Sequence, residues 1–183
     1  VATNQNDILH RAISNGAYTV ENVSETISPS MDIQIASNFE RLIYDLNNQS
    51  DEKTIEVMKS IKEKGKYLID KENLEKINAD FLSSRMDQAD ILNTIKTVYE
   101  KFNIILDPHS AIGYGAFDKV NLKGNNVVLA TAHPCKFPDA IEKAINLKAE
   151  LPNELAFVLD EKENYDIIEN NLNKIKQHIK ERI

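Results

Sequence analysis

The stretch that most constrains this chain is Val127-Val128-Leu129-Ala130-Thr131. Four aliphatic residues followed by a threonine leave no polar face for water, so the run reads as a strand covered on both sides, as in parallel sheets. Parallel neighbours need long crossover connections, and helices are the usual means. The rest of the sequence supplies that alternation. Asn103-Ile104-Ile105-Leu106 reads as a second short strand that stops at Asp107-Pro108, Val1 to Asn4 reads as a strand entered midway, and Asp80 to Met86 is a further candidate. Strands separated by helices of roughly ten residues or more imply an α/β architecture with a parallel, helix-flanked sheet.

Helical periods fill the intervals. Asn4 to Asp7 offers cap residues for a helix over Asp7–Asn15 whose apolar stripe is Ile8, Leu9, Ala12 and Ile13, with Gly16 ending it. Thr19 to Ser30 has no period and reads as a loop. A helix is expected from Ser30 through Leu46, with Ile33, Ala36, Phe39, Leu42, Ile43 and Leu46 on its buried face. Asp51 can cap a third through Lys64, closed by Gly65. Lys66 to Asp70 reads as a brief extended piece and Lys71–Ala79 as a charged helix. Asp87–Phe102 is the clearest, because Ile91, Ile95, Val98 and Phe102 recur on one face. Ser110 can cap another, Pro138 opens one to about Leu147, and a last begins near Glu161. Four segments follow: 1–48 as strand, helix, loop and helix; 49–79 as a charged helical excursion; 80–155 as the α/β part of the sheet; and 156–183 as a C-terminal helix.

Composition closes several function classes. A net charge of -7, with Lys interspersed among Glu and Asp, argues against a nucleic-acid groove. Apolar runs such as Val127 to Ala132 fall far short of the roughly 20 residues that span a bilayer. The single Cys135 excludes an internal disulfide and fits a reducing, cytoplasmic setting. With 5 glycines and no glycine-rich phosphate motif, the chain has no phosphate cradle of its own.

Ligands of open parallel sheets bind beyond the carboxyl ends of the strands. That rule singles out three polar turns: Thr3-Asn4, Asp107-Pro108-His109-Ser110 and Thr131-Ala132-His133-Pro134. Each leads into a helix whose first amides can meet an anion, although strand-to-helix turns need capping residues in any case. His109 and His133 are open to acid–base work, to metal binding with Asp107, or to plain packing at a turn. Lys136 is either a reactive amine or a solvated, phosphate-facing cation. Cys135 reads as an inert thiol. Asp32 reads as a cap.

These same turns carry a resemblance. Val1-Ala2-Thr3-Asn4-Gln5-Asn6-Asp7, Ser28-Pro29-Ser30-Met31-Asp32-Ile33 and Ser37-Asn38-Phe39-Glu40-Arg41 resemble the threonine synthase family. So do Asp107-Pro108-His109-Ser110-Ala111-Ile112-Gly113 and Leu129-Ala130-Thr131-Ala132-His133-Pro134-Cys135-Lys136-Phe137-Pro138. The five blocks stand in the order of that family's C-terminal part and run from Val1 to about Leu155.

The resemblance implies a fold-type II pyridoxal-phosphate (PLP) enzyme that converts O-phospho-L-homoserine and water into L-threonine and phosphate, with PLP as electron sink. The family's Schiff-base lysine, after a Ser/Ala-Phe motif, and its glycine-rich loop match nothing here. The expectation is therefore a fragment that lacks its N-terminal part and is inactive alone. By the same resemblance Thr131 matches the hydroxyl residue that meets the pyridine nitrogen, a neutral partner that leaves the ring less protonated than an aspartate would. Ser30, Met31, Asp32, His109, His133 and Lys136 match blocks near the substrate. The competing reading is a non-catalytic α/β module that binds a small anion or a partner protein.

Overall fold

The computed structural model describes residues 1–120 and 122–183. They form two compact units, Val1–Glu150 and Leu151–Ile183.

The first unit opens with β1 (Ala2–Thr3), α1 (Ile8–Asn15) and β2 (Ala17–Thr19), then continues through α2 (Phe39–Leu46), α3 (Asp51–Lys64), β3 (Lys66–Leu68), α4 (Lys71–Asp80) and β4 (Ser84–Arg85). It closes with α5 (Gln88–Phe102), α6 (Pro108–Val120) and α7 (Pro138–Ile145). β1 pairs parallel with β4, Ala2 opposite Ser84, while β2 pairs antiparallel with β3, Tyr18 opposite Tyr67. Helices thus flank two separate two-stranded sheets, of which the β1–β4 pair is parallel, in line with the α/β expectation. β2 takes residues up to Thr19, where the sequence shows only the start of a loop.

Local chemistry explains most boundaries. Gly16 stops α1 at φ 79, and its N–H donates to Ala12 O. Gly65 stops α3 in the same left-handed conformation, which residues with a Cβ rarely adopt. Ser50 caps α3 one residue ahead of the expected Asp51. Asp70 and Asp87 cap α4 and α5 by accepting the amides of Asn73 and Asp90.

Two buried clusters hold this unit. One gathers Ile8, Ala12, Ile13, Tyr18, Phe39, Ile43, Val57, Ile61 and Ile77, with the Tyr18 and Phe39 rings stacked at 5.1 Å. The other joins Met86, Ile91 and Ile95 to Ala111, Ile112 and Ile141, and so clamps α5 against α6 and α7. Each fully buried aliphatic side chain contributes roughly 2 kcal/mol to that packing. Of the α5 face read from the sequence, Ile91, Ile95 and Val98 are buried, while Phe102 at the helix end is exposed.

Three expectations differ. The helix expected from Ser30 breaks: a 3-10 turn covers Pro29–Met31, and α2 begins only at Phe39. Polar groups in between are spent on tertiary bonds, the Gln34 side chain accepting from Arg11 and the Ala36 backbone N–H donating to the Tyr18 hydroxyl at 2.8 Å. Neither 103–106 nor 127–131 enters a ladder among the described residues. Val127 is 89% and Leu129 73% exposed, so the covered strand of the sequence reading is an uncovered extended segment here. The apolar pattern marks what the segment can bury, while a strand also requires neighbours that these residues do not supply.

In the second unit a 3-10 helix spans Asn153–Leu159 and α8 spans Leu172–Lys180. α8 starts well after the expected Glu161, because the Asn171 side chain accepts the amides of Asn173 and Lys174 and fixes the N-terminus there.

Candidate functional site

The site is built on the first turn of α6. Pro108 opens the helix at the position where a missing N–H costs nothing. Asp107 just before it is 1% exposed, and its carboxylate accepts four hydrogen bonds. Oδ1 takes the backbone N–H of His109 at 2.9 Å and the ring Nδ1–H of His109 at 2.9 Å. Oδ2 takes the backbone N–H of Ser110 at 3.3 Å and the Ser110 hydroxyl. The helix N-terminus adds its own partial positive charge, so this buried anion is compensated from several sides. Ser110, expected as the cap, is instead one of the capped residues.

Both side chains held by Asp107 reach onward. His109 Nε2 faces the backbone N–H of Ser30 at 3.2 Å. A ring nitrogen that faces a donor must accept, so Nδ1 carries the proton and the imidazole is neutral. Its ring leans on Phe137 with centroids 4.8 Å apart. Ser110 Oγ accepts the backbone N–H of Thr131 at 3.0 Å and lies 3.5 Å from Thr131 Oγ1. Through one carboxylate, then, the turns bearing Ser30 and Thr131 are fixed to the same helix end.

Of these residues His109 and Thr131 face a cleft of about 810 Å3, whose walls also include Met31, Gly113 and Val128. Its size and its mostly apolar lining with a few polar groups suit a small cofactor or metabolite. Thr131 is exposed, and with its amide held by Ser110 the hydroxyl remains available to a ligand.

The other expected site residues are distributed differently. Asp32 turns to its own loop: Oδ1 accepts from Thr26 Oγ1 at 2.6 Å, Asn4 Nδ2 at 2.7 Å and Asn6 Nδ2 at 2.9 Å, and Oδ2 accepts Thr26 N at 2.8 Å. Asn4 and Asn6, expected as caps of α1, are the buried partners in that knot. Ser30 is exposed beside it and Met31 packs against the second cluster. His133 caps its own turn, Nδ1 accepting from Cys135 N at 3.2 Å, and lines a smaller recess of about 460 Å3 with Asp107, Ser110 and Ala130. Lys136 is exposed and has no ion-pair partner among the described residues. Among those residues no group of three or more His, Cys, Asp and Glu is placed to hold a metal, and His133 does not join Asp107 and His109. Away from the site, burial pushes the Tyr18 and Tyr67 phenols up from the usual range. The sequence reading missed the central part of Asp107, whose signal was its place before Pro108 at a helix start.

Comparison with known proteins points to one family. The threonine synthase C-terminal family matches residues 110–179. The threonine synthase of Pseudomonas aeruginosa is 37% identical over 182 residues, covering 98% of this chain and 39% of that protein. A solved structure of PLP-bound threonine synthase from Brucella melitensis superposes with a TM-score of 0.85 at 38% identity, covering 98% of this chain and 39% of that one. Over nearly its whole length this chain is similar to the C-terminal part of threonine synthases. The Saccharomyces cerevisiae threonine synthase is 39% identical over 165 residues, covering 80% of the chain and 32% of that protein. The Escherichia coli enzyme, at 19% identity and a TM-score of 0.64, shares the fold. The chain spans about two fifths of the length of the threonine synthases from Pseudomonas aeruginosa and Brucella melitensis.

Proposed function

We propose that this chain forms one wall of the active site of a threonine synthase, which converts O-phospho-L-homoserine and water into L-threonine and phosphate. The observation that carries the reading is the Thr131 hydroxyl, exposed on the cleft while Ser110 and Asp107 fix its backbone. A single neutral hydroxyl held this way fits the ring nitrogen of PLP, which when bound serves as the electron sink. The fit covers that end only. The lysine that carries the cofactor and the glycine-rich phosphate cradle match no part of this chain, so we assign them to the remaining three fifths of the protein.

His109, neutral and hydrogen-bonded at both nitrogens, orients the Ser30–Met31 turn over the cleft. Asp32 shapes that turn from behind through Thr26, Asn4 and Asn6. Lys136 supplies an unpaired cation that suits the substrate phosphate, and His133 sets its turn. The reaction takes place in the cytoplasm, in keeping with the single free Cys135 and with the finding that no helix among the described residues is long and apolar enough to cross a membrane. The segments 1–48, 49–79, 80–155 and 156–183 remain a division by sequence alone, and the first two share one buried cluster.

The test is a pair of expressions. The complete gene product is expected to bind PLP and release phosphate from O-phospho-L-homoserine, and residues 1–183 alone to do neither. Turnover by the 183 residues on their own would overturn the reading. Anion binding by them without PLP would favour the non-catalytic module.

A further inference from the structure

Two of the four bonds to Asp107 are ordinary helix capping, since the amides of His109 and Ser110 would need partners whatever the side chains did. The other two go beyond capping. They hold the imidazole of His109 and the hydroxyl of Ser110, and proton counting fixes their direction. A carboxylate only accepts, so the single hydroxyl proton of Ser110 points to Asp107. Toward Thr131, Ser110 therefore offers lone pairs alone. One takes the Thr131 amide at 3.0 Å, and the other faces Thr131 Oγ1 at 3.5 Å. The Thr131 hydroxyl has one proton, and its protein neighbour in that direction can only accept it. Donated there, it leaves the Thr131 lone pairs turned to the cleft.

We infer that Asp107 and Ser110 are positioning residues for the cofactor: the buried carboxylate, acting through the Ser110 and Thr131 hydroxyls, presents an acceptor to the ring nitrogen and raises that nitrogen's hold on a proton. A hydroxyl partner taken by itself carries no charge. Here it is the outer end of a chain of donors that terminates on an anion, and such chains polarise each bond in turn. The inference rests on the assignment of Thr131 to the ring nitrogen. It adds that the protein contributes a negative charge to that contact two residues removed from it.

The test uses the complete enzyme loaded with PLP labelled with 15N at the ring. At a fixed pH, Ser110→Ala is expected to move the ring 15N shift toward that of unprotonated PLP, equivalent to a fall of about one unit in the nitrogen's pKa, because the hydrogen-bonded route from the Asp107 charge to the ring is cut. Asp107→Asn is expected to move it the same way, and Ser110→Ala carries the test if the Asn variant fails to fold. In a Thr131→Val background, Ser110→Ala should add no further shift, because its route to the ring is already cut. A ring shift in Ser110→Ala equal to that of the parent, with Thr131→Val itself displaced, would overturn the inference. If Thr131→Val changes neither the shift nor the PLP dissociation constant, the assignment of Thr131 fails first and the inference with it.

Discussion

Asp32→Asn separates a shaping residue from a substrate contact. In the structure all the carboxylate's hydrogen bonds run to the protein: three donors on Oδ1, from Thr26, Asn4 and Asn6, and the Thr26 amide on Oδ2. An asparagine must place its NH2 where one oxygen was. At the Oδ1 position it would oppose three donors, so it goes to the Oδ2 position and opposes the Thr26 N–H alone. One charge-assisted bond is lost and a half-buried amide is left facing a donor, at a cost of about 2 kcal/mol. If the 24–32 loop opens locally, that cost appears as roughly 30-fold faster amide exchange. The amides to follow are Ser24, bonded to Asn6 Oδ1, then Thr26 itself, and Ser28, bonded to Thr26 Oγ1. Exchange within about threefold of the parent at all three amides, together with a raised KM for O-phospho-L-homoserine, would refute the argument and make Asp32 a substrate ligand.

Two further predictions concern stability. Asp70→Ala should lower the urea midpoint by an amount worth about 1 kcal/mol, the usual value of an N-cap. The Asn73 amide holds the Asp70 carboxyl below the usual carboxylate range, so this contribution is present above the ordinary carboxylate pKa and is lost as pH falls through the depressed one. The difference between parent and variant should accordingly shrink in acid, and a constant difference across pH would contradict the capping account. Gly16→Ala should cost about 1–2 kcal/mol, because φ 79 is strained for any residue with a Cβ. The new methyl would also stand 3.0 Å from the Ile69 carbonyl oxygen. An unchanged midpoint would show that α1 can end another way.

The parts of this fold legible in the sequence are those that local chemistry decides. The Ile91, Ile95 and Val98 stripe of α5, and the glycine stops of α1 and α3, depend on residues a few positions apart. Where partners lie far off, local cues mislead. Ile33 and Ala36 have helical spacing, yet Gln34, Ala36 and Asp32 are bonded to Arg11, Tyr18 and Thr26. Val127 to Thr131 has the pattern of a covered strand, but coverage is a property of neighbours, and the ladder partners are not among these residues. At the site the three polar turns were visible as strand ends, and the structure brings two of them together. Their hub was not visible: Asp107 reads from the sequence as a turn residue or as a metal ligand beside the two histidines, and only the geometry shows its carboxylate tied to both His109 and Ser110. The knot of Asn4, Asn6 and Asp32 was hidden for the same reason, since asparagines near a helix start look like caps.

The account turns on Thr131, and one distance tests it. A crystal structure of the complete enzyme with PLP bound should place Thr131 Oγ1 at hydrogen-bonding distance, about 2.8 Å, from the ring nitrogen, with Ser110 still between it and Asp107. A ring nitrogen met by another side chain, with Thr131 Oγ1 beyond about 4 Å from it, would contradict the account.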